Sequence, residues 1–421
     1  MTRTKWLPTW QLRARFAAGL SAMYAAEVPA YAKLVAVSEQ VNADYAARHG
    51  DAERFGSLRR VTAERHGAIR VGNPAELAAV ADLFAAFGML PVGYYDLRCA
   101  AAPTGQPIPV VSTAFRPIDS NELALNPFRV FTSMLATRDP RYFDRDLRRR
   151  VDAFLARRQL FDPALSAQAR IIAAEGGCEA ETARAFVAAA VAAFALSREP
   201  IQRSWYDELA RVSAVAADIA GVGSTHLNHL TPRVLDIDDL YRRMTARGIT
   251  MIDAIQGPPR TDGSAVLLRQ TSFRALAEPR RFRGRDGRIT GGTLRVRFGE
   301  VEARGVALTP KGRQCYDAAM AAADPAAVWA DYFPRTDAEL AAAGLAYYRG
   351  GDPSAPVVYE DFLPASAAGI FRSNLDAPAG VEMRSSVDDS GYDAQWLAGS
   401  IDREIYDPYP LYEALSQEAP R

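Results

Sequence analysis

The amino-acid sequence predicts an α+β fold in which two strand–helix–strand units are set among helical regions. Apolar residues recur at helical spacing through 8–48 and 121–215, whereas 66–97 and 225–259 alternate strand-like and helix-like segments. A long strand pattern follows at 291–309. Together these patterns predict, in order, an N-terminal helical region (1–60), a first βαβ module (61–120), a helical insertion (121–215), a second module (216–310) and a C-terminal region (311–421).

Composition and charge favour a globular protein that acts on a small polar molecule. Of 421 residues, 49% are hydrophobic and 24% charged, and 50 Lys and Arg balance 50 Asp and Glu. Because no net charge attracts nucleic acid or an anionic membrane, we expect neither as a partner. Cys99, Cys178 and Cys315 form no CxxC or CxxxC pair, which argues against disulfides and a zinc ribbon and predicts a cytoplasmic location. The oligomeric state stays open.

The sequence also predicts neither a secretion signal nor a membrane span. The N-terminal stretch MTRTKWLPTWQLRARFAAGL lacks a sustained apolar run, and no stretch reaches the roughly 18 apolar residues that a span requires. FVAAAVAAFAL (186–196) comes nearest, but it is short and rich in alanine. We expect a buried helix there.

The elements of the first half follow from local patterns. The helical pattern of 8–48 has a break at Pro29. HGAIRVG then reads as a strand, NPAELAAVADLFAAFGM as a helix that Asn73 caps, and LPVGYYDL as a second strand. In the insertion, RDLRRRVDAFLARRQLF and CEAETARAFVAAAVAAFAL are both helical in period, and acids flank the arginines of 148–150, which predicts a solvated helix face.

The strand–helix–strand unit then recurs. THLNHLTPRV reads as a strand, LDIDDLYRRMTARG as a helix from near Asp236 to Gly248, and ITMIDAIQGPP as a strand that prolines end. HGAIRV (66–71) aligns with HLTPRV (229–234), with His and Arg four residues apart in both. This similarity predicts a duplicated module.

The duplication bears on the few histidines of the chain. Alternation along a strand puts His66 and Arg70 on one face, and His229 and Arg233 on the equivalent face of the second strand. His226 falls on the opposite face from His229, so only one of these two is a candidate ligand. Any single histidine is usually an ordinary structural residue. Two at equivalent strand starts can converge as ligands, and imidazole suits iron, zinc, copper or nickel.

The 291–309 strand pattern supplies a candidate carboxylate ligand. Glu300 and Glu302 share one face, which is usually a solvated face, but Phe298, Val306 and Leu308 indicate burial. A buried carboxylate is costly unless it is paired or binds a metal. Two histidines and a carboxylate leave open coordination positions, as in non-haem Fe(II) oxygenases, and zinc hydrolases use the same ligand types.

Familiar nucleotide and hydrolase motifs are absent from the sequence. We find no GxxxxGK[ST], no GxGxxG with a following acid, no HExxH and no GxSxG. The commonest phosphate-binding, zincin and serine-hydrolase functions are therefore not predicted.

Longer blocks of the sequence resemble one family, the 2-oxoadipate dioxygenase/decarboxylases, also called D-2-hydroxyglutarate synthases. The blocks run from about residue 64 to 375 and are ERHGAIRVG, PVGYYDL, STAFRP, PFRVFTSML, HLNHLTPRVLDID, LLRQTSF, RFGEVEARGVALTPKGR and VYEDFLPASAAGIFRSNL. The resemblance implies a fold of the vicinal-oxygen-chelate type, in which paired βαβββ modules form a curved sheet around a metal site.

The resemblance also implies the residues of the site. Fe(II) would be held by His66, His229 and Glu300. Glu302, which lies on the same strand face as Glu300, is the fallback for the carboxylate. The substrate would be bound by Arg70 and, in the C-terminal region, by Ser366. Ala365 stands before that serine where we expect valine in the family, so it bears on the shape of the substrate pocket.

The activity implied is the conversion of 2-oxoadipate and O2 to D-2-hydroxyglutarate and CO2, a step of lysine catabolism. The partners would be a 2-oxo dicarboxylic acid and O2, and the protein would position them while iron carries out the redox chemistry. Two alternatives are a zinc-dependent hydrolase or lyase on the same fold, and a non-catalytic metal-binding or structural protein built of helical and β modules.

Overall fold

The structure, a computed structural model, describes residues 5–50, 52–98, 108–295, 297–374 and 391–420. The strands in these ranges are β1 (Trp6–Pro8), β2 (Arg65–Val71), β3 (Leu90–Asp96), β4 (Val110–Arg116), β5 (Arg129–Leu135), β6 (Gly177–Glu179), β7 (Ile201–Gln202), β8 (Leu227–Pro232), β9 (Leu268–Phe273), β10 (Glu278–Arg283), β11 (Ile289–Leu294) and β12 (Gly299–Arg304). The helices are α1 (Thr9–Glu27), α2 (Pro29–Arg48), α3 (Leu58–Ala63), α4 (Pro74–Ala85), α5 (Ser120–Leu125), α6 (Arg145–Leu155), α7 (Pro163–Glu175), α8 (Ala180–Ala192), α9 (Arg203–Val212), α10 (Ala214–Ala220), α11 (Ile237–Ala246), α12 (Pro310–Met320), α13 (Pro325–Tyr332), α14 (Asp337–Ala342), α15 (Pro364–Asn374), α16 (Ala394–Ile401) and α17 (Pro408–Gln417).

The N-terminal helices form as predicted and pack against the sheet. Helix α1 ends at Glu27 and α2 begins at Pro29, whose fixed φ suits the first turn of a helix. The ring of Phe16 on α1 stacks on Phe87 with centroids 4.3 Å apart and meets Phe128 edge-on. The apolar stretch at 186–196 is confirmed as a buried helix over its first part, α8, where Phe186 is buried. Among the described residues, no helix combines the length and the apolar character that crossing a bilayer requires.

Five strands form the central sheet in the order β3-β4-β5-β2-β8. β2 pairs in parallel with β5 and antiparallel with β8, and α4 connects β2 to β3. The first module is therefore a βαβββ unit that includes β5. This strand lies inside 121–215, which the sequence predicts to be helical; apart from the short α5, the helices of that region begin at Arg145. The run RVFTSML is buried at every position because β5 lies between β4 and β2, and these tertiary contacts override the helical composition around it.

The second module contributes fewer strands to the curved sheet. β12 pairs antiparallel with β9, and an isolated parallel bridge between Arg233 and Glu302 continues from β8. The Val234 amide donates to the Glu302 carbonyl at 2.8 Å, which joins the two sheets at this point. The strand predicted at 249–259 is wrong: the segment makes only isolated bridges at Met251 and Gln256.

The strand predicted over 291–309 is interrupted. β11 ends at Leu294 and forms a hairpin with β10, beside β7, whereas β12 begins at Gly299 next to β9. Arg297 lies between them, and its guanidinium contacts Glu278 at 3.0 Å and also Glu27. These ion pairs hold the chain where it leaves one sheet for the other.

The pairing of β2 with β8 fits the predicted duplication. His66 lies opposite Thr231 and His229 lies opposite Ala68, which is the register that a two-fold axis between the strands produces. The helix after β8 also matches: Asp236 caps α11, and Gly248 has a φ of 73° just beyond it. Of the cysteines, Cys178 and Cys315 are free thiols, and Cys99 lies outside the described residues.

Candidate metal centre

The structure brings together the three side chains that the sequence analysis selects as ligands. One nitrogen or oxygen atom from each of His66, His229 and Glu300 lies within 4.8 Å of the others, and all three residues are buried. Nε2 of His66 is 3.5 Å from Oε1 of Glu300, and Nε2 of His229 is 3.4 Å from Oε2. Three strands thus direct two imidazoles and a carboxylate to one point.

Strand register explains this convergence. Residues directly opposite each other on paired strands share a face of the sheet, so the pairs His66–Thr231 and Ala68–His229 put both imidazoles on the same side. A bulge follows, because Ala68 and Ile69 face His229 and Leu227, which leaves Asn228 as an extra residue. The predicted alternation of side chains, which fixes the faces of His66 and His229, therefore holds as far as the bulge.

The outer nitrogen of each imidazole has its own partner. Nδ1 of His66 lies 2.9 Å from Oε2 of Glu302, and Nδ1 of His229 lies 3.0 Å from the hydroxyl oxygen of Thr231. Such partners orient a ligand imidazole and leave its other nitrogen for the metal. Glu302, the fallback ligand, thus contacts the side of His66 that faces away from Glu300.

Two arginines hold the Glu302 carboxylate. Arg304 donates to both of its oxygens at 2.8 Å, and Nη1 of Arg129 donates to Oε1 at 3.2 Å. Burial acts to raise the pKa of Glu302, but Arg304 and His66 outweigh it and hold this pKa well below its usual range. Glu302 is therefore an anion that is fully engaged with its neighbours.

The electrostatics of the cluster suit a cation. Burial lowers the pKa of His229 well below its usual range, and His66 and Arg70 act in the same direction, so this imidazole is neutral near pH 7. Burial also acts to lower the pKa of His66, but Glu302 and Glu300 outweigh it and raise this pKa. Burial raises the pKa of Glu300, which His66 partly offsets. A cation bound between them would replace the proton for which His66 and Glu300 compete.

The surroundings of the cluster restrict water. The ring of Phe298 stacks on His229 with centroids 5.0 Å apart, and the ring of Phe362 meets His66 edge-on at 5.0 Å. The side-chain amide of Gln270 donates to Oε1 of Glu300. The donor set, its burial and the orientation of each donor therefore fit a metal such as iron or zinc.

The other two histidines lie elsewhere. Nε2 of His226 is 3.4 Å from Oδ1 of Asp218 and 3.2 Å from the amide nitrogen of Asn228. His49 follows the last residue of α2 and stacks on Tyr45 with ring centroids 4.2 Å apart. Neither belongs to the ligand cluster found among the described residues.

Arg70 lies on the strand face of His66, as predicted from alternation, and it is buried. Its Nη1 donates to Oδ2 of Asp218, a residue of α10. Arg233, its counterpart in the second module, donates to Glu64 at 2.8 Å instead. The equivalent arginines therefore hold different acids, and Arg70 is the one whose charge acts on His229.

The two C-terminal candidates both lie in the first turn of α15. Ser366 is buried, whereas Ala365 is exposed. Phe362, two residues before this helix, contacts His66, so the C-terminal region reaches the ligand cluster. That Ser366 and Ala365 contact a substrate stays a prediction.

Sequence reasoning missed Asp218, Gln270, Arg129 and Phe362. Gln270 and Phe362 lie within the family-like blocks LLRQTSF and VYEDFLPASAAGIFRSNL, which could have drawn attention to them. Arg129 opens β5 in PFRVFTSML, but the sequence predicts a helical region there. Asp218 has no such signal, because AVAADIA is an ordinary alanine-rich helix.

Comparisons with known proteins agree with one another. A model of the 2-oxoadipate dioxygenase/decarboxylase family matches residues 16–374. The chain is 79% identical, over 100% of both sequences, to a Mycobacterium tuberculosis protein of that name. A Pseudomonas putida protein of the same name is 38% identical over 95% of this chain and 93% of its own.

Two solved structures resemble most or nearly all of the chain. The Pseudomonas putida hydroxyglutarate synthase in complex with 2-oxoadipate has a TM-score of 0.81 and 34% identity, covering 98% of this chain and 96% of the other. A Ralstonia eutropha protein described as glyoxalase superfamily has a TM-score of 0.53 and 19% identity, covering 71% of this chain and 84% of its own, which bears on the fold alone. The predicted α+β fold of vicinal-oxygen-chelate type is confirmed.

Proposed function

The chain belongs to the 2-oxoadipate dioxygenase/decarboxylase family, and on this premise we propose that it is an Fe(II) enzyme that converts 2-oxoadipate and O2 to D-2-hydroxyglutarate and CO2. One observation carries the proposal to this chain: His66, His229 and Glu300 converge in a buried cluster. Three protein ligands leave coordination positions for a substrate and O2. The complex of the Pseudomonas putida relative with 2-oxoadipate supports the choice of substrate.

His66, His229 and Glu300 would hold the iron, each with a supporting neighbour. Thr231 and Glu302 fix the two imidazoles from behind, and Gln270 holds one oxygen of Glu300. Bound Fe(II) would supply the redox chemistry of an oxidative decarboxylation that is coupled to hydroxylation of the same molecule. No second organic substrate is needed, because the atoms of 2-oxoadipate and O2 together equal those of the two products.

Arg70 would bind the second carboxylate of the substrate. It is buried on the same strand face as His66, and a guanidinium offers a planar fork that matches a carboxylate. Ser366, at the start of α15, would contact the substrate from the C-terminal side. Phe298 and Phe362 lie against the two imidazoles and keep bulk water from the reacting atoms.

We place this reaction in the cytoplasm and, in metabolism, in lysine catabolism. The free thiols of Cys178 and Cys315 support a reducing compartment. The metabolic role rests on family membership.

Oxygen uptake tests the proposed function. With Fe(II), a reductant and 2-oxoadipate as the sole organic substrate, we expect one O2 consumed for each CO2 released, and D-2-hydroxyglutarate as product. The same sample without oxygen should be inactive. Turnover that persists without oxygen and is supported by Zn²⁺ would overturn the proposal in favour of a zinc hydrolase or lyase.

A further inference from the structure

Asp218 contacts three polar groups close to the candidate metal centre. It is 3% exposed and lies on α10. Its Oδ2 accepts hydrogen bonds from Nη1 of Arg70 and, at 2.9 Å, from the amide of Asn228, while Oδ1 lies 3.4 Å from Nε2 of His226. The carboxylate is thus held by β2 and by the chain around β8.

The β-bulge in β8 contributes to this arrangement. Asn228 is the extra residue of the bulge, and such a residue can direct its side chain away from the regular alternation. The Asn228 amide donates to Asp218 while the neighbouring His229 faces the metal centre. Two adjacent residues of one strand therefore have different roles. His229 is a candidate metal ligand, and Asn228 contacts the acid that holds Arg70.

A buried arginine needs a counter-ion, and that counter-ion weakens its attraction for a second anion. A guanidinium of this protein can nevertheless hold two carboxylates at once, since Nη2 of Arg129 donates both to Glu64, at 2.7 Å, and to Glu360. Arg70 can do the same with Asp218 and a substrate carboxylate.

We propose that Asp218 is the counter-ion and positioning residue of Arg70, and that its charge sets how strongly Arg70 selects a substrate with a second carboxylate. This inference rests on the proposed function, in which Arg70 binds that carboxylate. Asp218 keeps the guanidinium in place before substrate binds and reduces the net positive charge that the substrate meets. Preference for a dicarboxylic 2-oxo acid is then a balance between Arg70 and Asp218.

The variant Asp218→Asn separates position from charge. Asparagine keeps an oxygen that can accept from Arg70 but removes the negative charge. We expect kcat/KM for 2-oxoadipate relative to 2-oxohexanoate, which lacks the second carboxylate, to rise about tenfold, because the charge of Arg70 is then no longer offset by a carboxylate. In a thermal melt, 2-oxoadipate should raise the melting temperature of Asp218→Asn by more than it raises that of the parent. The rise caused by 2-oxohexanoate should not be larger in the variant.

Asp139→Asn is a matched control. Asp139 is also a buried aspartate that contacts arginine, with Arg98 at 3.0 Å and Arg141 at 2.6 Å, but it does not contact Arg70 or the ligand cluster. This variant should be less stable than the parent. Its kcat/KM for 2-oxoadipate relative to 2-oxohexanoate should equal that of the parent. If Asp218→Asn also keeps that ratio, the inference is overturned.

A second pair of variants keeps the test decisive if Asp218→Asn does not fold. In Arg70→Met the Asp218 carboxylate has lost its counter-ion and should repel the substrate's second carboxylate. Adding Asp218→Asn removes that repulsion, so the double variant should bind 2-oxoadipate several-fold more tightly than Arg70→Met. Equal binding by the two would show that the substrate does not sense Asp218.

The parent protein distinguishes failure of this inference from failure of the proposed function. If the parent consumes no O2 with 2-oxoadipate, the proposed function fails, and the inference with it. If the parent is active and prefers the dicarboxylic acid, an unchanged ratio in Asp218→Asn rejects the inference alone.

Discussion

Oε2 of Glu302 lies 2.9 Å from Nδ1 of His66, so the carboxylate two residues beyond a candidate ligand contacts the outer side of another ligand. The same imidazole presents Nε2 to Glu300 at 3.5 Å. One strand, β12, thus carries both a candidate ligand and the residue that orients His66.

This relationship predicts unequal effects at the two carboxylates. Glu302→Gln should keep the metal site but lower its affinity about 10- to 100-fold, the usual cost of losing the partner of a ligand imidazole. Glu300→Gln should abolish tight binding. Competition titration with Co²⁺ and a chelating dye measures the metal affinity of both variants. Thr231→Val, on the His229 side, should lose less metal affinity than Glu302→Gln, because a hydroxyl is a weaker partner for an imidazole. If Glu302→Gln loses the metal completely while Glu300→Gln keeps it, the roles are reversed.

The four histidines should fall into two groups, those that are required for bound iron and those that are not. His66→Ala and His229→Ala should each lose bound iron, because each removes one of three ligands. His226→Ala and His49→Ala should retain iron, since these residues lie against Asp218 and Tyr45. Metal analysis of the four purified proteins decides the question. Retention by His229→Ala together with loss by His226→Ala would show that the ligand assignment on this strand is wrong.

Arg70 should be required for the substrate rather than for iron. Arg70→Met should bind iron and lose about 2 to 5 kcal/mol of dicarboxylate binding, the range for truncating one partner of a buried charge pair. Arg70→Lys keeps the charge without the planar fork, so it should fall between the parent and Arg70→Met. Calorimetric titration with 2-oxoadipate under anaerobic conditions gives the affinities. If Arg70→Met discriminates between 2-oxoadipate and 2-oxohexanoate as the parent does, another group binds the second carboxylate, and Arg233 is the next candidate.

Arg129 should be essential for stability. It is fully buried and pairs with Glu64, Glu302 and Glu360, so Arg129→Met leaves three buried carboxylates short of a partner. We expect a loss of about 3 to 5 kcal/mol in the free energy of unfolding, measured by urea denaturation. The control, Arg150→Met, removes an exposed pair with Glu208 and should cost about 1 kcal/mol or less. Equal losses in the two variants would contradict the importance of the buried network.

The sequence allowed the candidate ligands to be predicted because they depend on local rules. Alternation along β2 and β8 fixes which side chains share a face, and the apolar neighbours of Glu300 indicated its burial. The same rules could not separate Glu300 from Glu302, which share a face. The difference comes from Arg129 and Arg304, which hold Glu302. Arg129 belongs to another strand and lies 173 residues before Glu302 in the sequence.

Other differences have the same origin in tertiary contacts. β5 lies within an alanine- and arginine-rich region, and only its position between β4 and β2 makes it a central strand. The pattern of 291–309 is continuous in sequence, but the ion pairs of Arg297 with Glu27 and Glu278 divide it between two sheets. Asp218 could not be predicted, because a helix far from β2 in sequence brings it to Arg70.

The placement of His66, His229 and Glu300 on three strands that are distant in sequence has a consequence for how the enzyme matures. Closing such long loops is entropically costly, so pairings between distant strands form slowly and late compared with local helices. The chain cannot assemble all three ligands until β2 has paired with β8 and β12 has joined them. A metal is therefore acquired by a nearly folded protein, because the nascent chain on the ribosome has no complete site in which a metal could be bound.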